Sequence, residues 1–127
     1  MWLDTHCHLD APEFLADLGQ IIENAQAVGV QGILLPAVRA HDFGAVKELV
    51  HTYKDRIPYL VYTLGIHPLY TDRAKEEDLK ILEQAVKESL NDPHFVIMYL
   101  FHLFIFNTVS HNQIYVHFPC ARCLVPQ

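Results

Sequence analysis

The residues best suited to chemistry lie near the start of the chain, in Asp4-Thr5-His6-Cys7-His8-Leu9-Asp10, directly after a short apolar run at residues 1–3. Side chains of an extended segment alternate with period two, so His6 and His8 point the same way and their imidazoles can converge on one metal ion. Clusters of this type serve metal-assisted hydrolysis, where the ion activates water and polarises the bond to be broken. The plainer alternative is that both rings cap a loop or pack against carbonyls. Two histidines on one face at the end of a first strand favour the ligand reading. Asp4 and Asp10 flank the pair. Either carboxylate can hydrogen-bond a ligand imidazole and fix its tautomer. Asp10, just before Ala11-Pro12, is read as the N-cap of the first helix, and the role of Asp4 stays open.

A second motif, Gly65-Ile66-His67-Pro68, follows a later apolar segment. In a parallel barrel the loops after the strands build the active face, which brings His67 out beside His6 and His8. There it can bind a substrate phosphate or donate a proton. The alternative is an ordinary surface-loop histidine. No residue is assigned a bond-breaking role of its own. Of the three cysteines, Cys7 sits among the histidines and reads as a reduced thiol. Cys120-Ala121-Arg122-Cys123 has CxxC spacing, but a single such pair is weak evidence for zinc or redox chemistry.

The elements that must position these groups alternate between strand and helix. Residues 1–3 read as a buried strand running into the polar cluster. Phe14, Leu18, Ile21, Ile22, Ala25 and Val28 fall at helical spacing, with Gly29 as a stop. Residues 32–36 form a second strand. Asp42 is placed to cap a second helix with Phe43, Val46, Leu49, Val50 and Tyr53 on its apolar face. Residues 59–64 form a third strand. Leu79, Ile81, Leu82, Ala85, Val86 and Leu90 mark a third helix, broken by Asn91-Asp92-Pro93, and residues 95–98 begin a fourth strand. This order predicts an α/β fold with a parallel sheet: three βα units plus a fourth strand, an incomplete (β/α)8 barrel of the TIM type. A full barrel needs about 250 residues, and this chain has 127.

The chain is 51% hydrophobic and 19% charged, enough apolar material for one core, and its formal net charge is -6. Only 9 Lys and Arg are present, which argues against general binding of nucleic-acid backbones. An acidic protein can still act on phosphodiesters when metal ions supply the local positive charge. Composition changes along the chain. Acidic residues end at Asp92, residues 95–106 are nearly all apolar, and residues 107–127 have no helical period. Residues 1–96 therefore read as the barrel portion and 97–127 as an atypical tail, from a frameshift, alternative splicing or misprediction. The apolar stretch is short for a membrane span, and no signal peptide is visible. The expected compartment is the cytoplasm, with the nucleus as alternative.

Together, DTHCHLD, the ILLPAV strand, the GIHP loop and the FV strand after the third helix resemble the TatD family of metal-dependent DNases, in order and spacing, from Met1 to about Val96. DTHCHLD alone is shared loosely across amidohydrolase-like proteins; combined with GIHP at this distance it is fairly specific. The resemblance implies a TIM-barrel phosphodiesterase with two divalent ions (Mg, Mn or Zn) and 3′-to-5′ exonuclease activity on DNA. By the family pattern His6 and His8 are ligands of one ion and His67 lies near the substrate phosphate. Family members continue after FV with a G-E-x-G-L-D segment whose Glu bridges both metals, whereas this chain has Ile97-Met98-Tyr99-Leu100-Phe101-His102. The expectation is a truncated form with impaired or no activity. The alternative is a non-catalytic isoform that binds a partner or self-associates through the exposed sheet edge. A membrane-associated role for the apolar stretch ranks last, since basic flanking residues are missing.

Overall fold

The computed structural model describes residues 2–96. Three strands, β1 (Trp2–Asp4), β2 (Val30–Pro36) and β3 (Tyr59–Thr63), alternate with three helices, α1 (Leu18–Ala27), α2 (Phe43–Tyr53) and α3 (Glu76–Ser89). The strands lie in the order β1-β2-β3 and all pair in parallel. The α/β alternation and the parallel sheet agree with the sequence pattern. A fourth strand begins where expected: Phe95 forms a parallel bridge to Tyr62, and the Val96 N–H donates to the Tyr62 carbonyl at 2.9 Å. Its continuation at residues 97–98, like the tail at 97–127, lies outside the described residues.

Paired residues of a parallel ladder share a face, so the register sorts the sheet into two sides. Ile33 lies opposite Leu60 and Leu35 opposite Tyr62, and these four are buried with Ile22 of α1 and Val46 and Val50 of α2 in one core. Burying each such side chain contributes about 2 kcal/mol relative to leaving it in water. The other face pairs Leu3 with Gly32 and Gly32 with Tyr59. A Cβ on Gly32 would meet Leu3 Cδ2 at 2.5 Å and Tyr59 Cβ at 3.2 Å, so the two large side chains close over the glycine. Leu3 and Tyr59 nonetheless remain 42% and 60% exposed. One face of the sheet is thus covered by helices and the other is open.

Several boundaries differ from the sequence reading, each for a local reason. The first helix begins at Leu18, not near Phe14. Residues 11–17 close short turns, with Phe14 N–H donating to Ala11 O at 2.9 Å and Asp17 N–H to Phe14 O at 3.1 Å. The helical pattern starts only with Ile21 N–H to Asp17 O at 3.0 Å. Asp10 is therefore seven positions too early to cap α1, and Asp17 holds the cap position without a side-chain bond. Val28 falls past the helix end and is exposed, while Gly29, at φ 84, terminates the helix as expected. Asp42 does precede α2 but makes no capping bond, because its carboxylate is taken by Arg39. On α3 the expected apolar stripe is only partly buried. Leu82 and Ala85 reach the core, whereas Leu79, Ile81 and Leu90 are exposed.

At the turn between α3 and Phe95 a polar staple ties three elements together. Asp92 Oδ2 accepts the Tyr62 hydroxyl at 2.8 Å and His51 Nε2 at 2.7 Å, and Oδ1 accepts the His94 N–H at 3.0 Å. His94 Nδ1 lies 2.9 Å from the Leu60 carbonyl, which can only accept, so that nitrogen carries the proton. Burial alone would push the Asp92 carboxyl up, but the hydrogen bonds from His94, His51 and Tyr62 outweigh it and hold it at about 2. Burial likewise pushes the Tyr62 phenol up to about 12.

A carboxylate held below its ordinary value stabilises the fold at pH above about 4, and that stability is lost as pH falls toward 2. Asp92→Asn is expected to lower stability by about 1–2 kcal/mol at neutral pH and to flatten the pH dependence between about 4 and 2, read from urea midpoints. An unchanged acid profile in the variant would contradict this role.

Candidate functional site

The site is built on backbone bonds that continue the ladder past the strand ends. Cys7 N–H donates to Leu34 O at 3.0 Å, Ala37 N–H to Thr63 O at 2.9 Å, and His67 N–H to Val38 O at 2.9 Å. These bonds stitch the exits of β1, β2 and β3 into one edge, the C-terminal edge of a parallel sheet, where ligands of α/β proteins collect.

On the first exit the predicted alternation holds. Cys7 and Leu9 are 1% and 2% exposed and belong to the core, while His6 and His8 are half-buried. The two imidazoles lie 5.1 Å apart, centroid to centroid, edge to face at 79°. Asp4 Oδ1 accepts the His6 N–H at 3.1 Å and so pins the turn that presents the pair. Asp10, released from any capping duty, sits with Oδ1 3.7 Å from His8 Nδ1, too long for a hydrogen bond. Asp4 Oδ2 and Asp10 Oδ1 are both buried without a hydrogen-bond partner. A buried carboxylate oxygen left without a partner is costly, and two lie beside one histidine pair.

His67 emerges from the third exit, two strands from β1. Its Nδ1 accepts the Leu69 N–H at 3.1 Å, which leaves the ring proton on Nε2. The fold brings His6 and His8 together, and His67 leaves from the third exit with its ring 6.4 Å from that of Tyr70, centroid to centroid. Among the described residues no three His, Cys, Asp or Glu side chains converge as a metal cage. A cluster that sequence reasoning missed lies next to His67. Arg39 is held by Asp42 through Nε at 2.9 Å and Nη2 at 3.2 Å, and its guanidinium stands 5.1 Å over the Tyr70 ring. The i, i+3 spacing of Arg39 and Asp42 was the available signal; the reach from Arg39 to Tyr70 depends on the loop exits and had none.

The TatD-related DNase family model matches residues 3–97. The chain belongs to the TatD-related DNase family. A metal-dependent hydrolase of Haemophilus influenzae is 41% identical over 88 residues, covering 68% of this chain and 32% of the relative. Human deoxyribonuclease TATDN3 is 31% identical over 67 residues, 53% of this chain and 23% of the relative. The crystal structure of YjjV, a TatD homologue from Escherichia coli, superposes with a TM-score of 0.61 at 33% identity, over 68% of this chain and 32% of that one. This TatD-family chain thus spans about a third of the length of the curated relatives it matches. The Haemophilus influenzae relative and a second one from Escherichia coli are described as metal-dependent hydrolases. Among the described residues no helix is long and apolar enough to cross a membrane.

If the uncompensated carboxylate charge of Asp4 is a cost in the metal-free protein, Asp4→Asn removes that charge while keeping the acceptor for the His6 N–H. In EDTA this variant is expected to be as stable as the parent or up to about 1 kcal/mol more stable by thermal melting. Marked destabilisation would assign Asp4 a purely structural charge.

Proposed function

We propose that residues 1–96 form the opening half of a TIM-type (β/α)8 barrel that hydrolyses phosphodiester bonds of DNA with divalent metal ions, in the 3′-to-5′ exonuclease manner of the family. The observation that carries this reading is the His6–His8 pair at the C-terminal edge of β1, with two partnerless buried carboxylate oxygens beside it. That donor set fits part of a divalent site: each imidazole would offer one nitrogen, and Asp4 holds the turn that presents the pair. When bound, the ion supplies Lewis-acid activation of water and of the phosphoryl oxygen. His67 takes the substrate phosphate, presenting its Nε2–H to a phosphate oxygen. Mg, Mn and Zn all suit such a site.

Two imidazoles without a bridging carboxylate hold an ion weakly and orient it poorly. We therefore assign this chain by itself impaired activity or none. The division at Val96 is part of the reading: acidic residues end at Asp92 and the family match ends at residue 97. A second reading, a dimerising module without catalysis, draws on the open sheet face, where Leu3 and Tyr59 are 42% and 60% exposed. A discrete dimer in analytical ultracentrifugation, with no metal response, would favour it over the first.

The deciding experiment compares the chain with its His6→Ala, His8→Ala double variant in Mn²⁺ and Mg²⁺. Metal is expected to raise the melting temperature of the parent and not of the variant, with slow or undetectable cleavage of DNA by the chain alone. Equal metal shifts in both proteins would sink the ligand assignment, and family-like turnover by the chain alone would overturn the impairment.

A further inference from the structure

A cleft of about 220 Å³ opens on the sheet edge beside His67, outside the histidine pair, and is lined by Arg39, His41, Ile66, Tyr70, Arg73 and Asp78. Pockets for whole small molecules run from about 300 Å³ upward, so this one suits a single flat group with a charged neighbour. Its surfaces are prepared for that. The Arg39 guanidinium is already stacked over the Tyr70 ring and fixed from behind by both oxygens of Asp42. Ordering costs for that aromatic–guanidinium platform are met within the fold itself. Asp78, the acid of the cleft, is engaged by the Lys75 N–H at 2.8 Å. Among the described residues the exposed side chain of Arg73 has no ion pair or hydrogen bond. The cleft therefore combines a planar stacking surface with an uncommitted cation, on a chain whose net charge of -6 offers no general attraction for polyanions.

We propose that this cleft seats one nucleotide of a single DNA strand, its base stacked on the Tyr70–Arg39 platform and its phosphate paired with Arg73. The proposal rests on the phosphodiesterase reading and extends it: the strand enters over β2 and β3, passes His67 and reaches the histidine pair at β1. An acidic peptide would use Arg73 but would gain nothing from the ring, which separates the two ligands chemically.

The test is fluorescence anisotropy of a labelled oligothymidylate titrated with the full chain in EDTA, so that binding is read without metal or cleavage. Saturable binding is expected. Tyr70→Ala weakens it at least about fivefold while Tyr70→Phe stays within about twofold, since stacking needs the ring and not the hydroxyl. Arg73→Ala weakens binding and reduces the slope of log K against log salt by about 0.7, the value for one phosphate on a single strand. Absence of binding by the parent chain overturns the proposal, as does parent-like affinity in a Tyr70→Ala variant that keeps its circular dichroism spectrum. If Tyr70→Ala fails to fold, Arg73→Ala decides alone, and an unchanged salt slope overturns the proposal. Competition by an acidic peptide as effective as by unlabelled oligonucleotide also overturns it. Equal metal-induced shifts of melting temperature in the parent and the His6→Ala, His8→Ala variant would sink the metal reading only; loss of the metal-free binding difference between parent and Tyr70→Ala would sink the cleft only.

Discussion

The arrangement depends on a parallel ladder that does not stop where its strands stop. The bonds from Cys7 to Leu34, from Ala37 to Thr63 and from His67 to Val38 carry the pairing into three successive loops. Parallel strands need crossovers, and those crossovers place all three exits at one end of the sheet. Each exit is then tied to its neighbour's backbone by a bond that no side-chain substitution removes. Positions facing outward from the exits are left to vary in chemistry: a histidine pair on the first, Arg39 on the second, His67 on the third.

The two ends of the sheet divide their tasks. At the end where α3 returns toward β3, Asp92 gathers Tyr62, His51 and the His94 N–H into a satisfied network. At the other end Asp4 and Asp10 each keep an oxygen buried and without a partner. One carboxylate is used to hold elements together and has no capacity to spare. The other two lie beside imidazoles and retain capacity for a cation. This contrast, more than the presence of acidic residues as such, separates a structural polar cluster from a candidate site.

Much of this was legible in the residues. The alternation of apolar runs and 3.6-period segments located all three strands and all three helices, because each buries a face with its own period. In DTHCHLD the period-two alternation itself was legible, since Cys7 and Leu9 turn inward and His6 and His8 do not. The failures concern which of several bonds a polar side chain makes. Asp10 looked like a cap because it precedes Ala11-Pro12, yet short turns delay α1 to Leu18. Asp42 stood at the right position but bonded Arg39 instead of the helix amides. The Tyr70–Arg39 contact joins two different exits, a juxtaposition that only the folded ladder creates.

The open face of the sheet has a relief of its own. Leu3 from β1 and Tyr59 from β3 stand at one level with Gly32 of β2 between them. In closed barrels each interior layer takes four side chains from alternate strands. In the barrel reading, Leu3 and Tyr59 are two members of such a layer, and the glycine is the gap that lets them meet. The face is then half of an interlocking joint rather than a generic greasy surface. Whatever covers it must bring two side chains of matching height, so shape as well as hydrophobicity governs which partner can close it.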